Sequence, residues 1–362
     1  MQSTVLAALA VALRANVPVL LWGPPGTGKS ATVAALGQQL GWPTEVVIAS
    51  LREPSDFAGL PVVERGQVRL APPAWARRLA EAQTGLLFLD EISTAPPAVQ
   101  AALLRVVLDR VVGDLALPPT VRIVAAANPP EQAAGGWDLA PPLANRFLHL
   151  HWPLDTQRWC AGMLSGFALG ALPTVPDLPP DPQARALVAG FVAARPHLLL
   201  AVPDDPVKAS GAWPSPRSWD LAARLLGLAL RAGAGREVEL TLVAGAVGEG
   251  AAGEFFTWRQ TLDLPDPESL LAEPEKFRLP ERSDQQYAVL AAVVSAVLQQ
   301  PTRERWDAGW RILHTATTTG ARDLVAALSR ELILLQRRQP NLPLPTATLL
   351  ELYQLLQEAR LL

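Results

Sequence analysis

Residues 23–30 form a glycine-rich run, GPPGTGKS, directly after the apolar stretch VPVLLW. The run fits the pattern G-x-x-x-x-G-K-[ST], in which main-chain N–H groups converge on phosphate oxygens. Glycines at 26 and 28 let the backbone approach the phosphates, and the helix that follows adds the positive end of its dipole. We therefore predict a nucleotide site in which Lys29 neutralises the β- and γ-phosphates and Ser30 is a ligand of Mg²⁺.

The whole predicted nucleotide-binding segment is continuous. It consists of Gly23, Pro24, Pro25, Gly26, Thr27, Gly28, Lys29, Ser30 and Ala31. An apolar strand before it and a helix after it are the structural context that this type of phosphate loop requires.

A pair of carboxylates follows the apolar run LLFL within the segment 85–91. A buried strand puts the residues after it at the carboxyl edge of an open sheet, where α/β proteins bind ligands. We predict that Asp90 holds Mg²⁺ and that Glu91 orients and deprotonates the water that attacks the γ-phosphate. Alone, the pair is equally consistent with a solvated acidic turn; beside a phosphate loop the catalytic interpretation is favoured.

Three further polar residues are candidates for contacts near the γ-phosphate. Asn128 ends the run VRIVAAAN, where its amide could hydrogen-bond to the γ-phosphate or to the attacking water. Arg146 starts the run RFLHLHW and is a candidate arginine finger. Arg217 is expected in the first turn of a helix that Ser215 caps and Pro216 begins. Two of them have an ordinary alternative, a turn before proline for Asn128 and a solvated end of an element for Arg146.

Alternating strands and helices must position these residues. This alternation predicts an α/β fold, a parallel sheet with helices on both faces. The predicted strands are 17–22, 44–50, 85–91, 120–128 and 146–152, and the predicted helices of this part are 3–15, 28–40, 72–83 and 96–110. Two further segments, 61–71 around Arg65-Gly66 and 111–118, are predicted β-hairpins.

After the sheet, the pattern is almost all helical. A proline-rich segment at 171–182 is interpreted as a linker or an excursion, and a second loop at 262–283 interrupts the helices. We predict a nucleotide-binding domain at 1–152, a helical lid at 153–250 and a C-terminal helical extension at 251–362.

Histidines and tryptophans are interpreted as structural. His149 and His151 lie on one face of a strand, and the histidines lack the spacing of metal ligands. Trp258, Trp306 and Trp310 are expected to fill the core of the C-terminal helices.

Composition narrows the class of protein. The net charge of −3 provides no global basic field for nucleic acid or anionic membranes, and a hydrophobic fraction of 49% is that of a folded chain. Cys160 is the only cysteine, which excludes an intrachain disulfide and fits a reducing compartment. The apolar N-terminus lacks the basic region of a signal peptide, and no other run of eighteen apolar residues occurs. We expect a soluble, cytoplasmic protein.

As a set, these motifs resemble those of the AAA+ ATPases and, more narrowly, of the MoxR family, over about residues 3–235. GPPGTGKS resembles the Walker A motif, LLFLDEIS the Walker B motif, and APPAVQAALLRVV the helix that follows it. VRIVAAANPP resembles sensor 1 with Asn128 as its polar residue, LANRF the arginine-finger segment with Arg146, and SPR the sensor 2 segment with Arg217. The two predicted hairpins fall where the family carries its helix 2 insert and its pre-sensor hairpin.

Two positions depart from the family pattern. Ser93-Thr94 stand where Asn-Arg is usual, and Asn145 stands where Asp is usual. Neither departure removes a group that the hydrolysis chemistry needs, and both fall near the subunit interface that the resemblance implies.

The resemblance implies Mg²⁺-dependent ATP hydrolysis by a ring, usually a hexamer, with the nucleotide between subunits. Glu91, Asn128, Arg146 and Arg217 are then the catalytic residues, and action of sensor 2 in cis and action in trans are both open. Family members often work with a partner that bears a von Willebrand factor A domain, as chaperones that remodel or activate another protein or insert its metal. Nucleic acid is an unexpected partner, and membrane insertion is not expected.

Two other functions remain open. One is a nucleotide switch, a ring that binds ATP and gates a partner with little turnover. The other is a nucleic-acid-directed motor related to McrB-type GTPases, against which the charge argues. The sequence AAANPPEQ also lacks the Asn-Thr-Ala-Asp-Arg run of those motors.

Overall fold

The computed structural model describes residues 2–129, 137–167, 169, 172, 175, 182–262, 264–343 and 350–359. The chain divides into two compact units: Met1–Pro179 with Leu199–Gly253, and Pro180–Leu198 with Glu254–Leu362. Most of the segment interpreted as a linker, 171–182, lies outside the described residues. The division into a nucleotide-binding domain, a lid and an extension stays a prediction.

The strands of the described residues all lie in the first unit. They are β1 Val19–Trp22, β2 Thr44–Ile48, β3 Leu60–Glu64, β4 Gln67–Ala71, β5 Gly85–Asp90, β6 Val111–Val112, β7 Leu115–Ala116, β8 Val121–Ala127 and β9 Leu148–His151. Five of them form a sheet in the order β2-β5-β8-β1-β9, in which every neighbouring pair is parallel. The predicted parallel sheet is thus confirmed.

Helices make up most of the remaining described chain. They are α1 Gln2–Arg14, α2 Lys29–Leu40, α3 Ser55–Ala58, α4 Ala74–Ala82, α5 Pro97–Asp109, α6 Pro141–Ala144, α7 Thr156–Ser165, α8 Pro182–Ala194, α9 Pro206–Ala209, α10 Pro216–Arg231, α11 Arg236–Val247, α12 Glu249–Gln260, α13 Pro267–Ala272, α14 Ser283–Gln299, α15 Arg303–Thr318, α16 Arg322–Arg338 and α17 Leu350–Glu358. Among the helices described, none has the length and apolar character needed to cross a membrane.

Burial explains why the central strands read as continuous apolar runs. All four residues of β1 and the first five of β5 are buried, as expected for a parallel sheet covered on both faces. Leu87 and Leu89 belong to one buried apolar cluster with Val99 and Leu103 of α5. Asp90 ends this buried strand and Glu91 follows it directly.

The strand register brings several chain segments to one edge of the sheet. Trp22 of β1 aligns with Ala127 of β8, and Ile48 of β2 aligns with Asp90 of β5. Because the strands are parallel, the residues that follow them emerge side by side at the carboxyl edge.

All five strands predicted for the sheet are one to three residues shorter than expected, and at two of them the difference moves a residue that matters to the site. The strand expected at 44–50 ends at Ile48, and the chain continues as a single 3₁₀ turn, Ala49–Leu51. The strand expected at 146–152 begins only at Leu148, so the prediction that Arg146 starts a strand is wrong. The N–H group of Arg146 still donates to the carbonyl of Leu143 in α6, which keeps it in the turn after that helix.

Both predicted hairpins are present. In the first, Glu64 pairs with Gln67 across the two-residue turn Arg65-Gly66, whose φ angles are 51° and 77°. Two positive φ angles match the turn type that suits the twist of a tight hairpin. The second hairpin pairs β6 with β7.

The second unit is built around an apolar helical core. Trp306 and Trp310 are buried there with their rings 5.8 Å apart in an edge-to-face arrangement. Trp258 is also buried and lies 5.6 Å from the ring of Phe191. The tryptophans therefore fill the core as expected from the sequence.

Candidate active site

The phosphate loop connects β1 to α2. Gly26 and Gly28 have φ angles of 76° and 86°, and a Cβ at either position would meet no neighbouring atom within 4 Å. The backbone conformation rather than the space therefore favours glycine here. Thr27 Oγ1 donates to the carbonyl of Pro24 at 2.8 Å and holds the loop closed. No side chain caps α2, so its first N–H groups remain available to phosphate.

Lys29 folds back over this loop. Its Nζ donates to the carbonyls of Gly23 at 2.5 Å and Pro24 at 2.9 Å, and the side chain is buried. A third hydrogen bond of 3.2 Å reaches Asn128 Oδ1 at the end of β8. Burial lowers the pKa of Lys29, while the charge of Asp90 acts in the opposite direction. A largely desolvated ammonium beside a phosphate-shaped loop is a ready counter-charge for an anion.

Ser30 and Asp90 meet where a magnesium ion is predicted. Ser30 Oγ donates to Asp90 Oδ2 at 2.7 Å, and Asp90 Oδ1 accepts from the N–H of Glu91 at 3.0 Å. The described residues hold no group of three or more His, Cys, Asp or Glu side chains that could bind a metal. Mg²⁺ commonly takes only one or two protein oxygens and completes its shell with water and phosphate. This hydroxyl and carboxylate fit that requirement.

Glu91 is held by a residue that no sequence motif identifies. Its φ of 55° turns the chain sharply after β5, and Ser50 Oγ donates to Glu91 Oε2 at 2.5 Å. Ser50 is not identified from the sequence, because the predicted strand 44–50 includes this residue. The available signal was topological: a polar residue after β2 must emerge beside the end of β5 if the two strands are neighbours.

The residues at the sheet edge line a cavity of about 340 Å³. Its lining includes the loop and early helix residues 25–31 with Asp90, Glu91 and Asn128. A second cavity of about 480 Å³ shares four lining residues with the first: Gly26, Thr27, Gly28 and Ala31. It extends to α7 and the residues that flank this helix, and its lining there includes Leu154, Trp159 and Phe167. A polar compartment thus continues into an apolar one, as a phosphate chain joined to a nucleoside requires.

Arg146 and Arg217 are not among the residues that line these two cavities. Arg146 donates through Nη1 to the carbonyl of Pro142, while its Nε is buried without a hydrogen-bond partner in the described structure. Burial lowers the pKa of Arg146 most, and the nearby positive charge of Arg217 lowers it further, against an opposing effect of Asp109. Arg217 is thus near enough to Arg146 to affect its pKa, and neither arginine lines the cavities at the phosphate loop.

Asn145 ties this arginine pair to the start of α10. Its Nδ2 donates to the carbonyl of Trp213 at 3.1 Å, and its Oδ1 accepts from Ser215 Oγ at 2.7 Å. Ser215 also caps α10 together with Ser218, as the sequence predicts for Ser215. An aspartate could accept from Ser215 but could not donate to Trp213. The departure from the family pattern at 145 therefore has a physical role.

His149 is buried beside the end of β1, whereas His151 is exposed. Trp22 Nε1 donates to His149 Nδ1 at 2.8 Å, and His149 Nε2 lies 2.9 Å from the carbonyl of Ala144. The pKa of His149 is lowered to about 4, with burial as the largest cause, the bond to Ala144 opposing it and His151 adding a smaller lowering effect. The expected packing role is present, with a pair of hydrogen bonds that strand periodicity could not indicate.

Residues 18–147 match the family model of the AAA domain (dynein-related subfamily). The matched range includes the phosphate loop, Ser50, the carboxylate pair, Asn128 and Arg146.

Curated relatives are similar to parts of the chain. Midasin of Giardia intestinalis is 29% identical over 151 residues, which are 40% of this chain and 3% of midasin. The Nif-specific regulatory protein of Azorhizobium caulinodans is 38% identical over 131 residues, 34% of this chain and 21% of that protein. The Psp operon transcriptional activator of Escherichia coli is 37% identical over 119 residues, 31% of this chain and 37% of the activator. The chain thus covers less than half the length of each.

Solved structures also show similarity. A crystal structure of a candidate ATPase from Cytophaga hutchinsonii gives a TM-score of 0.44 at 18% identity, covering 67% of this chain and 79% of that one. A full-length MCM homologue from Methanopyrus kandleri gives 0.37 at 20% identity, covering 69% and 54%.

The family match and the observed strand order support an AAA+ ATPase. The predicted fold class is confirmed: a P-loop NTPase sheet, parallel and five-stranded, with a helical C-terminal region. Membership of the MoxR family stays a prediction.

Proposed function

We propose that this protein hydrolyses ATP with Mg²⁺ at the edge of its parallel sheet. One observation carries the proposal: a phosphate loop, Lys29, the pair Ser30 and Asp90, and Glu91 line a single cavity. Each group has the chemistry that phosphoryl transfer needs at the place where it lies.

The proposed chemistry is an in-line attack of water on the γ-phosphate. Loop N–H groups and Lys29 bind the phosphates and neutralise their charge, while Ser30 and Asp90 would hold Mg²⁺. Bound there, the ion neutralises charge that develops on the phosphate oxygens. Glu91 accepts the proton of the attacking water, and Asn128, which already contacts Lys29, orients that water or the γ-phosphate.

Arg146 and Arg217 are proposed to act on the γ-phosphate of a neighbouring subunit. Neither arginine lines the cavity at the phosphate loop of its own chain, which is consistent with action in trans. An arginine supplied by a second subunit stabilises the negative charge of the transferring group. The assembly that this requires is a homo-oligomeric ring, which we propose to be hexameric.

For the biological role we propose a MoxR-type chaperone that remodels or activates a client protein. The motif set from the phosphate loop to the SPR segment supports this role, and a protein with a von Willebrand factor A domain is the proposed partner. The client is proposed to be a protein rather than nucleic acid, because the chain carries a net charge of −3.

A low-turnover switch is the second candidate. The hydrogen bond from Ser50 to Glu91 favours it, because the bond engages a carboxylate oxygen that would otherwise be open to the attacking water. Two of the relatives described above are named a regulatory protein and a transcriptional activator, which fits a ring that gates a partner. In this alternative the same site binds ATP but seldom turns it over.

Phosphate release measured with ATP and with GTP, each with and without DNA and with and without Mg²⁺, distinguishes these functions. The proposal predicts Mg²⁺-dependent release with ATP that DNA does not stimulate. Tight ATP binding with almost no release supports the switch. GTP hydrolysis stimulated by DNA would contradict both and indicate a nucleic-acid motor.

A further inference from the structure

A buried histidine lies between the phosphate loop and the segment that carries Arg146. His149 accepts from Trp22 Nε1 at 2.8 Å and lies 2.9 Å from the carbonyl of Ala144 through its other ring nitrogen. The planes of the Trp22 and His149 rings are nearly parallel, 14° apart, with centroids 6.1 Å apart. Trp22, Ala144 and His149 are all buried.

The direction of both hydrogen bonds is fixed by the tryptophan. An indole nitrogen can only donate, so His149 Nδ1 must accept, and the single proton of the neutral imidazole must lie on Nε2. That proton is donated to Ala144. The low pKa of about 4 agrees with a neutral ring at physiological pH. The imidazole is therefore a bridge with one acceptor and one donor, each committed to a different part of the chain.

The two ends of this bridge adjoin the two halves of the proposed catalytic machinery. Trp22 is the last residue of β1, and the next residue, Gly23, accepts from Lys29 Nζ. Ala144 is the last residue of α6 and is followed by Asn145 and Arg146. A shift of the phosphate loop on binding nucleotide would thus act on the imidazole, and the imidazole on the residues that lead into Arg146.

We infer that His149 is a positioning residue, which couples the phosphate loop of one subunit to the arginine that this subunit offers to its neighbour. The inference rests on the proposed function, because it takes Arg146 to be the arginine that completes a neighbouring site. His149 touches neither nucleotide nor water in this account. It acts only through Trp22 on one side and Ala144 on the other.

A double-mutant cycle between His149→Phe and Arg146→Ala tests this inference. Phenylalanine keeps an aromatic ring of similar volume but loses both hydrogen bonds. In the wild-type background we expect kcat to fall about tenfold, the effect of one well-placed hydrogen bond, with KM for ATP unchanged. In the Arg146→Ala background, single-turnover hydrolysis should fall no further, because the group that His149 positions is already absent.

Two conservative variants sharpen the result and guard against misfolding. His149→Gln can place an amide N–H near the position of Nε2, so it should recover much of kcat through the bond to Ala144. His149→Asn can place an acceptor near Nδ1 and should recover less. Trp22→Phe should reproduce the non-additivity of His149→Phe. Nucleotide affinity, measured by titration with a fluorescent ATP analogue, should equal that of the wild type in all of these variants.

The outcomes distinguish a failure of the role inferred for His149 from a failure of the role proposed for Arg146. If Arg146→Ala is slow and His149→Phe slows it by the same factor as it slows the wild type, the coupling role is refuted and His149 is merely structural. A loss of ATP affinity in His149→Phe contradicts it as well. If Arg146→Ala hydrolyses ATP at the wild-type rate, the assignment of the arginine in the proposed function fails, and the inference fails with it.

Discussion

The sheet-edge cluster and the arginine pair satisfy their polar groups in opposite ways. At the edge, Lys29, Ser30 and Asp90 are bonded to partners within the same chain, and Ser50 holds Glu91. Arg146 donates through Nη1 to the carbonyl of Pro142, but its buried Nε has no such partner among the described residues. Burial lowers the pKa of Arg146 most, the charge of Arg217 lowers it further, and Asp109 acts in the opposite direction.

This difference indicates which part of the proposed site a single chain completes by itself. The edge cluster is a set of opposite charges and matched donors and acceptors that is complete by itself. Two like charges placed together, by contrast, cost free energy unless an anion comes between or beside them. The comparison predicts that substitutions at the sheet edge affect ATP binding or the activation of the attacking water. Substitutions at the arginine pair should affect only the rate of ATP hydrolysis.

Replacing Lys29 should have the largest effect on binding. In Lys29→Ala the loop conformation, which depends on its glycines, should persist, but the counter-charge for the phosphates is lost. We expect no measurable ATP binding by titration, with an unchanged circular dichroism spectrum. Lys208→Ala, which removes an exposed lysine of α9, is the matched control and should bind normally. Equal ATP affinity in Lys29→Ala and wild type would refute the assignment of residues 23–30 as a phosphate loop.

Replacing Arg146 should leave binding intact and slow hydrolysis. An arginine that stabilises transferring phosphoryl charge contributes about a thousandfold or more in rate. Steady-state phosphate release should therefore fall by about that factor in Arg146→Ala at unchanged KM for ATP. Arg330→Ala, at an exposed arginine of α16, should hydrolyse normally. A parallel loss of ATP affinity would place Arg146 in its own subunit's binding site.

Mixed rings test whether Arg146 acts on a neighbour. Subunits with Arg146→Ala and subunits with Glu91→Gln are each expected to be inactive alone. After mixing, some interfaces pair an intact Glu91 with an intact Arg146, so part of the activity should return. Exchange of subunits is verified with fluorescent labels. Demonstrated exchange without recovered activity means that Arg146 acts in cis or that the ring fires only as a whole.

The buried His149 should make stability depend on pH. Its pKa is about 4 in the folded protein against an ordinary value of 6.5, so between these values the unfolded chain binds a proton that the folded protein does not. Stability is fully retained above pH 6.5 and falls as the pH is lowered towards 4, by about 3 kcal/mol in total. Chemical denaturation of wild type and His149→Phe between pH 4 and 7.5 measures this. Free energies of unfolding that change in parallel in the two proteins would show that His149 does not titrate in this way.

Replacing Ser50 should have a smaller effect and the opposite sign. Ser50→Ala frees Glu91 from its hydrogen bond, and we expect kcat to rise about threefold, as for a modest net hydrogen-bond energy. Thr318→Ala is a suitable control, because that exposed hydroxyl of α15 donates to the carbonyl of Thr315 in its own helix and Thr318 lines neither of the two cavities. A lower kcat in Ser50→Ala would mean that the serine holds Glu91 in its working position.

The sequence was sufficient for the sheet and for the edge cluster because both have strong local signals. Apolar runs mark the buried strands, and the spacing from Gly23 to Ser30 determines the loop. Asp90 and Asn128 follow such runs directly, so an error of one or two residues in a strand end does not move them from the edge.

Other contacts could not be predicted because they join distant parts of the chain. Ser50 meets Glu91 only if β2 lies beside β5, and His149 meets Trp22 only if β9 lies beside β1. The hydrogen bond from the Arg146 N–H to the carbonyl of Leu143 keeps Arg146 in the turn after α6, so that β9 begins only at Leu148. No apolar pattern in the sequence indicates this bond.

Glu91→Gln is the measurement that tests the central claim most directly. Glutamine keeps the shape of the side chain and its hydrogen bond to Ser50 but cannot accept the proton of the attacking water. The account predicts that the variant binds ATP with wild-type affinity while phosphate release falls at least about a hundredfold. Phosphate release at the wild-type rate would show that Glu91 is not the base, and would contradict the proposed site of hydrolysis.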